Sequence, residues 1–343
     1  MWAGAVARMR VVVTGASGMA GSHLADHLLA DGHHVHIVLR PRSRLANVQH
    51  LLARTEAHTL DLRSALAVEA LVRDGQFDWI FHLAAMSSVP LSWRLPDETI
   101  ASNVGGTLNL LEAVRQWSPH SVVHVACSSE QYGRVDASDL PIRESQPFRP
   151  LSPYAVSKIA QEYLGLQYAA SYGLRVCVTR AFNHEGPRRW ETSAPAGFAQ
   201  QVAEIEAGLR PPVLRVGNLD AVRDYLDVRD VVRAYVLAVE RRVLGRPLNV
   251  ASGRGWRIRE VLDAILQRSE ASISVEIHPD RLRPADVPRL VGDASAFRDA
   301  VGWQPRIPFE ATLEDMLAEQ RAAVTERARH VGAAAQGRGG PWI

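Results

Sequence analysis

The chain has 343 residues, of which 47% are hydrophobic and 22% are charged, and this composition is typical of a soluble globular protein. Its length suits one large domain or two interlocked ones. The formal net charge of +2 gives no strong field of one sign, which argues against nucleic acid or a membrane surface as a partner. No run of about 18 apolar residues occurs, so no membrane span is predicted.

Cysteine and histidine usage bears on location and on metal binding. Cys127 and Cys177 each lie in an apolar run typical of a buried strand, which suits reduced thiols better than a disulfide. A cytoplasmic location is therefore expected. His33, His34 and His36 fall at a turn and a strand start, and their spacing offers no closed ligand set, so no metal site is predicted.

A strand, a glycine-rich turn and a helix are predicted at the start of the chain. Residues 10–13 are mostly β-branched, residues 14–21 read TGASGMAG, and residues 22–31 have helical character. Such a turn lets the backbone approach a pyrophosphate, which the N–H groups of the following helix would bind. A dinucleotide site is predicted, with a purely structural turn as the alternative. The predicted cofactor contacts are Gly15, Ser17, Gly18, Met19 and Gly21.

The next predicted strand, residues 35–39, ends at Arg40. NAD-preferring Rossmann proteins usually carry an acidic residue at this position for the ribose 2′-hydroxyl, whereas an arginine suits a 2′-phosphate. NADP(H) is therefore favoured over NAD(H). A solvated basic loop is the alternative interpretation.

Later strand ends supply further predicted cofactor contacts. Residues 58–62 and 79–83 read as strands, and Asn103 is predicted to open a helix. The contacts at these positions are Asp61, Leu62, Leu83, Ala84, Ala85 and Asn103.

Residues 122–126 form another apolar strand, and Ser128, Ser129 and Glu130 follow it. Residues 175–180 also read as a strand. Because strands and helices alternate, the first half predicts an α/β fold with a Rossmann-type, doubly wound parallel sheet, in which ligands bind at the carboxyl ends of the strands.

Tyr154 and Lys158 stand four residues apart on a predicted helix and therefore share one face. An ammonium near a phenol favours the phenolate form, so Tyr154 is predicted to serve as an acid and base. A chance spacing on an amphipathic helix is the alternative.

The second half predicts a smaller α/β substrate-binding lobe interlocked with the first. The dinucleotide-binding domain is assigned to residues 9–180 with returning segments near 217–252. The lobe is assigned to residues 181–216 and 253–322, and residues 1–8 and 325–343 are predicted to be disordered extensions.

The glycine turn, Ser128, Tyr154 with Lys158, and Asn183 together resemble the extended short-chain dehydrogenase/reductase family over about residues 9–322. The strings CSSEQYG, RPLSPY and FNHEGP, beginning at Cys127, Arg149 and Phe182, resemble its GDP-mannose branch. This resemblance implies a GDP-linked sugar as substrate, a homodimer formed through helices at 103–117 and 154–171, and a nicotinamide cofactor contacted by Tyr154, Lys158 and His184. The substrate contacts that it implies are Ser87, Ser129, Asn183, Asn218, Arg223, Arg283 and Asp286.

The resemblance leaves three functions open. The first is NADPH-dependent reduction of the C4 ketone of GDP-4-keto-6-deoxy-D-mannose, giving a GDP-6-deoxyhexose such as GDP-D-rhamnose, with Ser128, Tyr154 and Lys158 as catalytic residues. The second is 4,6-dehydration of GDP-mannose with bound NADP, for which Glu130 would shuttle a proton. The third is a non-catalytic dinucleotide sensor, which the retention of the Ser-Tyr-Lys set disfavours.

Overall fold

The computed structural model describes residues 8–189, 193–281 and 287–336. The strands are, in chain order, β1 (Arg10–Thr14), β2 (His34–Leu39), β3 (Glu56–Thr59), β4 (Trp79–His82), β5 (Val122–Ser128), β6 (Arg175–Ala181), β7 (Asn183–Glu185), β8 (Val213–Val216), β9 (Val222–Asp227), β10 (Pro247–Val250), β11 (Gly255–Arg257), β12 (Ser274–Ile277) and β13 (Arg289–Leu290).

The helices are α1 (Met19–Ala30), α2 (Ala65–Gly75), α3 (Val89–Arg94), α4 (Pro96–Ile100), α5 (Gly106–Trp117), α6 (Pro153–Tyr172), α7 (Ala194–Glu206), α8 (Val228–Glu240), α9 (Ile258–Leu266), α10 (Ser295–Val301) and α11 (Phe309–Gln336). A π-helical turn, Ala101–Gly105, joins α4 to α5.

Seven strands form the main sheet in the order β10-β6-β5-β4-β1-β2-β3, and every neighbouring pair is parallel. The strand order reverses between β1 and β4, which is where ligands bind in open α/β sheets. This arrangement confirms the predicted Rossmann-type fold.

Two apolar layers cover the main sheet, as expected for strands that are buried on both faces. One layer contains residues of α1 and α8, with Leu24, Val231 and Tyr235 fully or almost fully buried. The other contains residues of α2, α5 and α6, with Val72 and Leu111 among those fully buried.

The smaller lobe contains a four-stranded sheet, in which β9 pairs with β7, β11 and β13, and a two-stranded sheet of β8 and β12. Helices α7, α9 and α11 pack together around a separate core that includes Leu214, Tyr225 and Leu313. Tyr225 and Phe309 stack with their ring centroids 4.7 Å apart.

The division of the chain differs from the predicted one in two places. β10 joins the main sheet and α8 packs beside it, but β9 belongs to the lobe, so residues 222–227 are not part of the dinucleotide-binding domain. Conversely, Phe297 and Trp303 lie in the core of the main domain although residues 253–322 were assigned to the lobe. In both cases, contacts with residues distant in the sequence determine which domain the segment joins.

Two local predictions were wrong. The strand expected at residues 58–62 lies at Glu56–Thr59, because its pairing with β2 places His36 opposite Glu56 and Leu39 opposite Thr59. Residues 325–336 were expected to be disordered but belong to α11, which continues through Gln336, and residues 337–343 lie outside the described ranges. Residues 1–7 lie outside the described ranges.

Among the described ranges, no helix has both the length and the apolar character required to cross a bilayer.

Candidate active site

The turn after β1 packs closely against the end of β4. Gly15 has a φ of +74°, and a Cβ on it would lie 2.7 Å from the backbone nitrogen of Ala84 and 2.9 Å from the carbonyl carbon of Leu83. Ala84 N also donates a hydrogen bond to Thr14 Oγ1 at 3.2 Å. A Cβ on Gly21 would overlap the carbonyl oxygen of Gly15. Only glycine therefore fits these two positions without displacing backbone.

The amino terminus of α1 opens onto this turn. Gly18 is the N-cap residue, no side chain caps the helix, and its first turn carries no acidic residue. The N–H groups and the positive end of the helix dipole are thus available to an anion at the switch point of the sheet. Ser17 and Met19 flank Gly18 in this cradle, which fits the diphosphate of a dinucleotide.

Gly15→Ala is expected to weaken NADPH binding at least about tenfold and to destabilise the fold by at least about 1 kcal/mol, because alanine is strained at positive φ and meets the β4 backbone. Fluorescence titration with NADPH and urea denaturation would measure the two effects. Gly105→Ala is the matched control, since nothing lies within 4 Å of a Cβ there and its φ is helical. Equal effects of both substitutions would contradict the assignment.

The ends of β2 and β3 lie side by side at the same edge. Arg40 is exposed immediately after β2. The pKa of Asp61 is lowered chiefly by its hydrogen bonds with Arg63, and the charge of Arg40 lowers it further, so Arg40 and Asp61 are electrostatic neighbours. Asn109 Nδ2 donates to the carbonyl oxygen of Leu62 at 2.8 Å. Arg40 and Asp61, both predicted to contact the cofactor, therefore lie near each other at this edge of the sheet.

Asn103 differs from its predicted place. It does not open a helix but lies in the π-helical turn between α4 and α5, where its side chain is fully buried. Its Oδ1 accepts from Met86 N at 2.7 Å, and its Nδ2 donates to Ser157 Oγ at 2.8 Å. Asn103 thus ties the loop after β4, which contains Leu83, Ala84 and Ala85, to the helix that carries Tyr154.

Ser128 and Tyr154 meet where β5 and α6 converge. Ser128 is the last residue of β5, and Tyr154 lies in the first turn of α6. Ser152 Oγ caps that helix by accepting from Ala155 N at 3.1 Å, and Pro153 occupies its first position, a typical helix start. A side-chain hydrogen bond links Ser128 to Tyr154, whose side chain is 8% exposed.

Tyr154 retains its proton in this environment. Burial raises its pKa well above the usual value for tyrosine, the hydrogen bond with Ser128 offsets part of the rise, and the negative charge of Glu130 adds to it. Glu130 follows Ser128 in a short 3-10 turn, Ser129–Gln131, and Ser129 is buried. A protonated phenol beside a serine hydroxyl can donate a proton to an oxygen atom that both contact.

Lys158 is placed differently from the sequence expectation. Its Nζ donates to the carbonyl oxygen of Ala126 at 2.7 Å and lies 5.9 Å from the centroid of the Tyr154 ring. Burial lowers the pKa of Lys158 to about 8. Tyr154 and Lys158 are neighbours, as predicted. However, the ammonium lies beside the tyrosine ring and against the backbone of β5. The pKa of Tyr154 is raised, so the phenol keeps its proton.

A buried network behind Ser128 was not predicted. Gln131 Oε1 accepts from Ser128 N at 2.9 Å, and Gln131 Nε2 donates to Glu162 Oε2 at 2.9 Å. Glu162 is also paired with Arg180 at 2.5 and 2.8 Å, and Arg180 donates to Tyr132 Oη at 2.8 Å. This network joins β5, α6 and β6 behind the serine. In the sequence, this network was indicated only by Arg180, a charged residue within the largely apolar strand β6.

On the lobe side, β7 begins at Asn183. The Oδ1 atom of Asn183 is buried and has no hydrogen-bond partner within the described ranges. Arg189 Nε is also buried without a hydrogen bond to a described residue, and it lies 3.5 Å from Glu185 Oε2, an ion-pair distance. His184 Nδ1 contacts the carbonyl oxygen of Phe182 at 3.0 Å, and burial lowers the pKa of His184 to about 4.

The remaining predicted substrate contacts differ in exposure. Ser87 and Asn218 are exposed, and Asn218 Oδ1 accepts from Asp220 N at 3.0 Å. Arg223 is 6% exposed and donates to the carbonyl oxygen of Val287 at 2.6 Å. It therefore supports β9 and is not a freely exposed phosphate ligand. Arg283 and Asp286 lie outside the described residues.

A seven-stranded parallel sheet with a glycine-rich turn at its switch point and a Ser-Tyr-Lys set at the same edge defines an extended short-chain dehydrogenase/reductase fold. A family model described as GDP-mannose 4,6 dehydratase matches residues 12–316, and the chain belongs to this family.

Two curated relatives are similar along almost the whole chain. The GDP-6-deoxy-D-mannose reductase of Pseudomonas aeruginosa is 35% identical, covering 92% of this chain and 99% of the relative. The GDP-mannose 4,6-dehydratase of Yersinia enterocolitica is 33% identical, covering 93% and 95%. Both reactions considered from the sequence therefore occur among its relatives.

Two solved structures share the fold. RMD from Pseudomonas aeruginosa complexed with NADPH has a TM-score of 0.80 at 33% identity, covering 92% of this chain and all of the other. The UDP-glucose 4-epimerase of Thermus thermophilus complexed with NAD has a TM-score of 0.82 at 33% identity, with the same coverage. A nicotinamide dinucleotide is thus bound by similar proteins, in both its phosphorylated and its unphosphorylated forms.

Proposed function

We propose that the protein reduces the C4 ketone of GDP-4-keto-6-deoxy-D-mannose with NADPH and yields a GDP-6-deoxyhexose, GDP-D-rhamnose. NADPH, when bound at the glycine turn, would supply the hydride. Tyr154 donates its proton to the oxygen that becomes the C4 hydroxyl. Ser128 holds that oxygen in line through a second hydrogen bond, a positioning and polarising role.

The observation that carries this proposal is the placement of Ser128 at the end of β5 and of Tyr154 in the first turn of α6, with Lys158 on the same helix. Reduction of a ketone needs an acid at the oxygen, and burial raises the pKa of Tyr154, so the phenol carries the proton that this step requires. The same set of residues serves a dehydratase, which begins with oxidation at C4. Reduction is favoured here because the GDP-6-deoxy-D-mannose reductase of Pseudomonas aeruginosa is 35% identical over 92% of this chain.

The lobe supplies a surface for the nucleotide sugar. Asn183 Oδ1 and Arg189 Nε are buried on one segment that leads from β7, and within the described ranges neither atom has a hydrogen-bond partner, although Arg189 Nε lies 3.5 Å from Glu185 Oε2. A polar ligand would satisfy both atoms. Arginine also suits forked contacts with phosphate oxygens. Asn183 is therefore kept as a substrate contact, and Arg189 is added to the predicted set.

The GDP-mannose 4,6-dehydratase function is the second candidate, and it is favoured by one observation. Glu130 is half-buried, follows Ser128 and acts electrostatically on Tyr154, as a proton shuttle near the sugar would. A non-catalytic dinucleotide sensor is disfavoured because Ser128, Tyr154 and Lys158 are all retained.

Two incubations separate the candidates. The protein would be mixed with GDP-mannose and NADP without added reductant, and separately with the 4-keto-6-deoxy sugar and NADPH. Turnover only in the second mixture is expected. Accumulation of the keto sugar in the first mixture would reject the reductase-only proposal.

Glu130→Gln is expected to change the rate of ketone reduction less than about tenfold, because the acid is Tyr154. A dehydratase that depends on Glu130 as a general acid or base would instead lose about 10²–10⁴-fold. Steady-state kinetics with the keto sugar measures the change. A large loss of reductase rate would show that Glu130 takes part directly.

The preference for NADPH is proposed on the position of Arg40. Arg40→Ser is expected to raise the KM for NADPH about tenfold and to leave that for NADH unchanged. A hydrogen bond to a charged group contributes about 1.5–3 kcal/mol, and less at an exposed position such as this one. Arg54→Ser, also exposed, is the matched control. An equal effect on both cofactors would contradict the role.

A homodimer through α5 and α6 is also proposed. Four apolar side chains on these helices are 40–59% exposed: Leu108, Val156, Tyr163 and Tyr172. Exposed apolar side chains of this kind are typical of a surface that another protein chain covers.

The cytoplasmic location stays a prediction from the reduced cysteines.

A further inference from the structure

A group of three imidazoles and one carboxylate lies on β2 and β3, and we define it as the edge cluster (His34, His36, Glu56 and His58). The register pairs His36 with Glu56 and Val38 with His58, so alternate side chains of the two strands share one face. Its histidines on β2, His34 and His36, lie in the first half of that strand, and Glu56 is the first residue of β3. Arg40 lies beyond the carboxyl end of β2, so the cluster is separate from the candidate active site.

The donor atoms of the edge cluster converge. His36 Nδ1 lies 3.0 Å from His58 Nε2 and 3.4 Å from Glu56 Oε2, and His34 Nε2 lies 3.2 Å from Glu56 Oε1. Donor atoms of His34, His36 and Glu56 all lie within 4.8 Å of one another. Tetrahedral zinc with bonds of about 2.0–2.1 Å places its ligand atoms about 3.3–3.4 Å apart. The shortest observed spacings, 3.0–3.4 Å, are of that size, whereas the group of His34, His36 and Glu56 spans up to 4.8 Å.

The cluster opens to solvent on one side, because His36 is buried whereas His34 and Glu56 are 45% and 52% exposed. The charges around it act on a bound cation in both directions. Glu56 supplies one negative charge. Arg10, whose guanidinium lies 6.0 Å from the Phe77 ring centroid, is a positive charge that opposes binding.

We propose that the edge cluster binds one divalent transition-metal ion through His34, His36 and Glu56, with Zn²⁺ as the best fit to imidazole nitrogens and a carboxylate oxygen. The ion clamps β2 to β3, the outermost pair of the main sheet, and thereby stabilises the strand ends that carry Arg40 and Asp61. A plain hydrogen-bond network among the same groups is the competing explanation, and it requires no ion.

Zinc titration of the full-length chain, without a histidine tag and after dialysis against a chelator, tests the proposal. One Zn²⁺ per chain is expected, together with a rise in the unfolding midpoint and, for Co²⁺, the visible absorption of a tetrahedral complex. His34→Ala and Glu56→Gln change side chains that are 45% and 52% exposed, so both variants should fold. Each should weaken binding at least about tenfold, since even residues behind the ligands contribute that much.

His50→Ala is the matched control, because His50 contacts Asp26 at 3.1 Å and does not belong to the edge cluster. Its zinc affinity should equal that of the unchanged chain. Absence of stoichiometric binding, or an affinity that the His34 and Glu56 substitutions leave unchanged, would overturn the proposal in favour of the hydrogen-bond network.

Discussion

Tyr154→Phe is expected to lower kcat for reduction of the keto sugar by about 10²–10⁴-fold, the usual contribution of a positioned general acid. The substitution removes only the hydroxyl that is hydrogen-bonded to Ser128 and leaves the ring that packs beneath Lys158. NADPH affinity should change little. Stopped-flow measurement of NADPH oxidation, with a separate binding titration, distinguishes lost chemistry from lost binding.

Tyr163→Phe is the matched control, since Tyr163 lies on the same helix and is 59% exposed. Its turnover should equal that of the unchanged enzyme. Unchanged turnover of Tyr154→Phe would instead show that another group donates the proton, and the proposed mechanism would fail even if the protein still reduces the sugar.

Glu162→Gln is expected to destabilise the fold by about 3–5 kcal/mol, because it leaves the Arg180 guanidinium buried without its charge partner. The two side chains are 1% and 5% exposed, so water cannot replace the lost interaction. Urea denaturation measures the loss. At temperatures where the variant is folded, kcat should also fall, because the network positions Ser128 through Gln131. The affinity for NADPH should fall by a smaller factor than kcat.

The control for this ion pair is Asp74→Asn, which breaks an exposed pair between Asp74 and Arg73. It should leave the denaturation midpoint unchanged, as exposed ion pairs contribute little. If Glu162→Gln were equally silent, the buried pair would have no structural importance and Ser128 would be held by the capping turn alone.

The parts of the fold that could be predicted are those set by local sequence. The glycine turn needs positive φ at Gly15 and close approach at Gly21, and both requirements follow from short-range backbone geometry. Runs of β-branched residues predicted the strands β1, β2 and β5, and the predicted bounds agree with the observed ones within a few residues. The parallel, doubly wound arrangement of the sheet was predicted from the alternation of strands and helices.

The parts that failed depend on contacts between distant residues. Helical spacing correctly placed Lys158 beside Tyr154, but it could not indicate that the ammonium donates to Ala126, a residue on another element. The helix extension to Gln336 was missed because the composition of residues 325–336 suggested disorder.

Two clusters illustrate the same limit. Glu162 and Arg180 belong to a network whose members come from three elements. Glu162 alone resembles an ordinary surface charge in sequence, and the position of Arg180 in an apolar strand does not identify its partner. Glu56 lies 20 residues beyond His36, so the spacing of His33, His34 and His36 did not reveal the carboxylate of the ligand group. Only the register between β2 and β3 brings these groups together.

The most direct test of the proposed reaction uses NADPH deuterated at C4 of the nicotinamide, on the face that is transferred, with GDP-4-keto-6-deoxy-D-mannose as substrate. The account predicts stoichiometric NADPH oxidation and a GDP-6-deoxyhexose with deuterium at C4 of the sugar, detected by mass spectrometry and NMR. Failure to oxidise NADPH, combined with conversion of GDP-mannose to the keto sugar by the same preparation, would contradict the account.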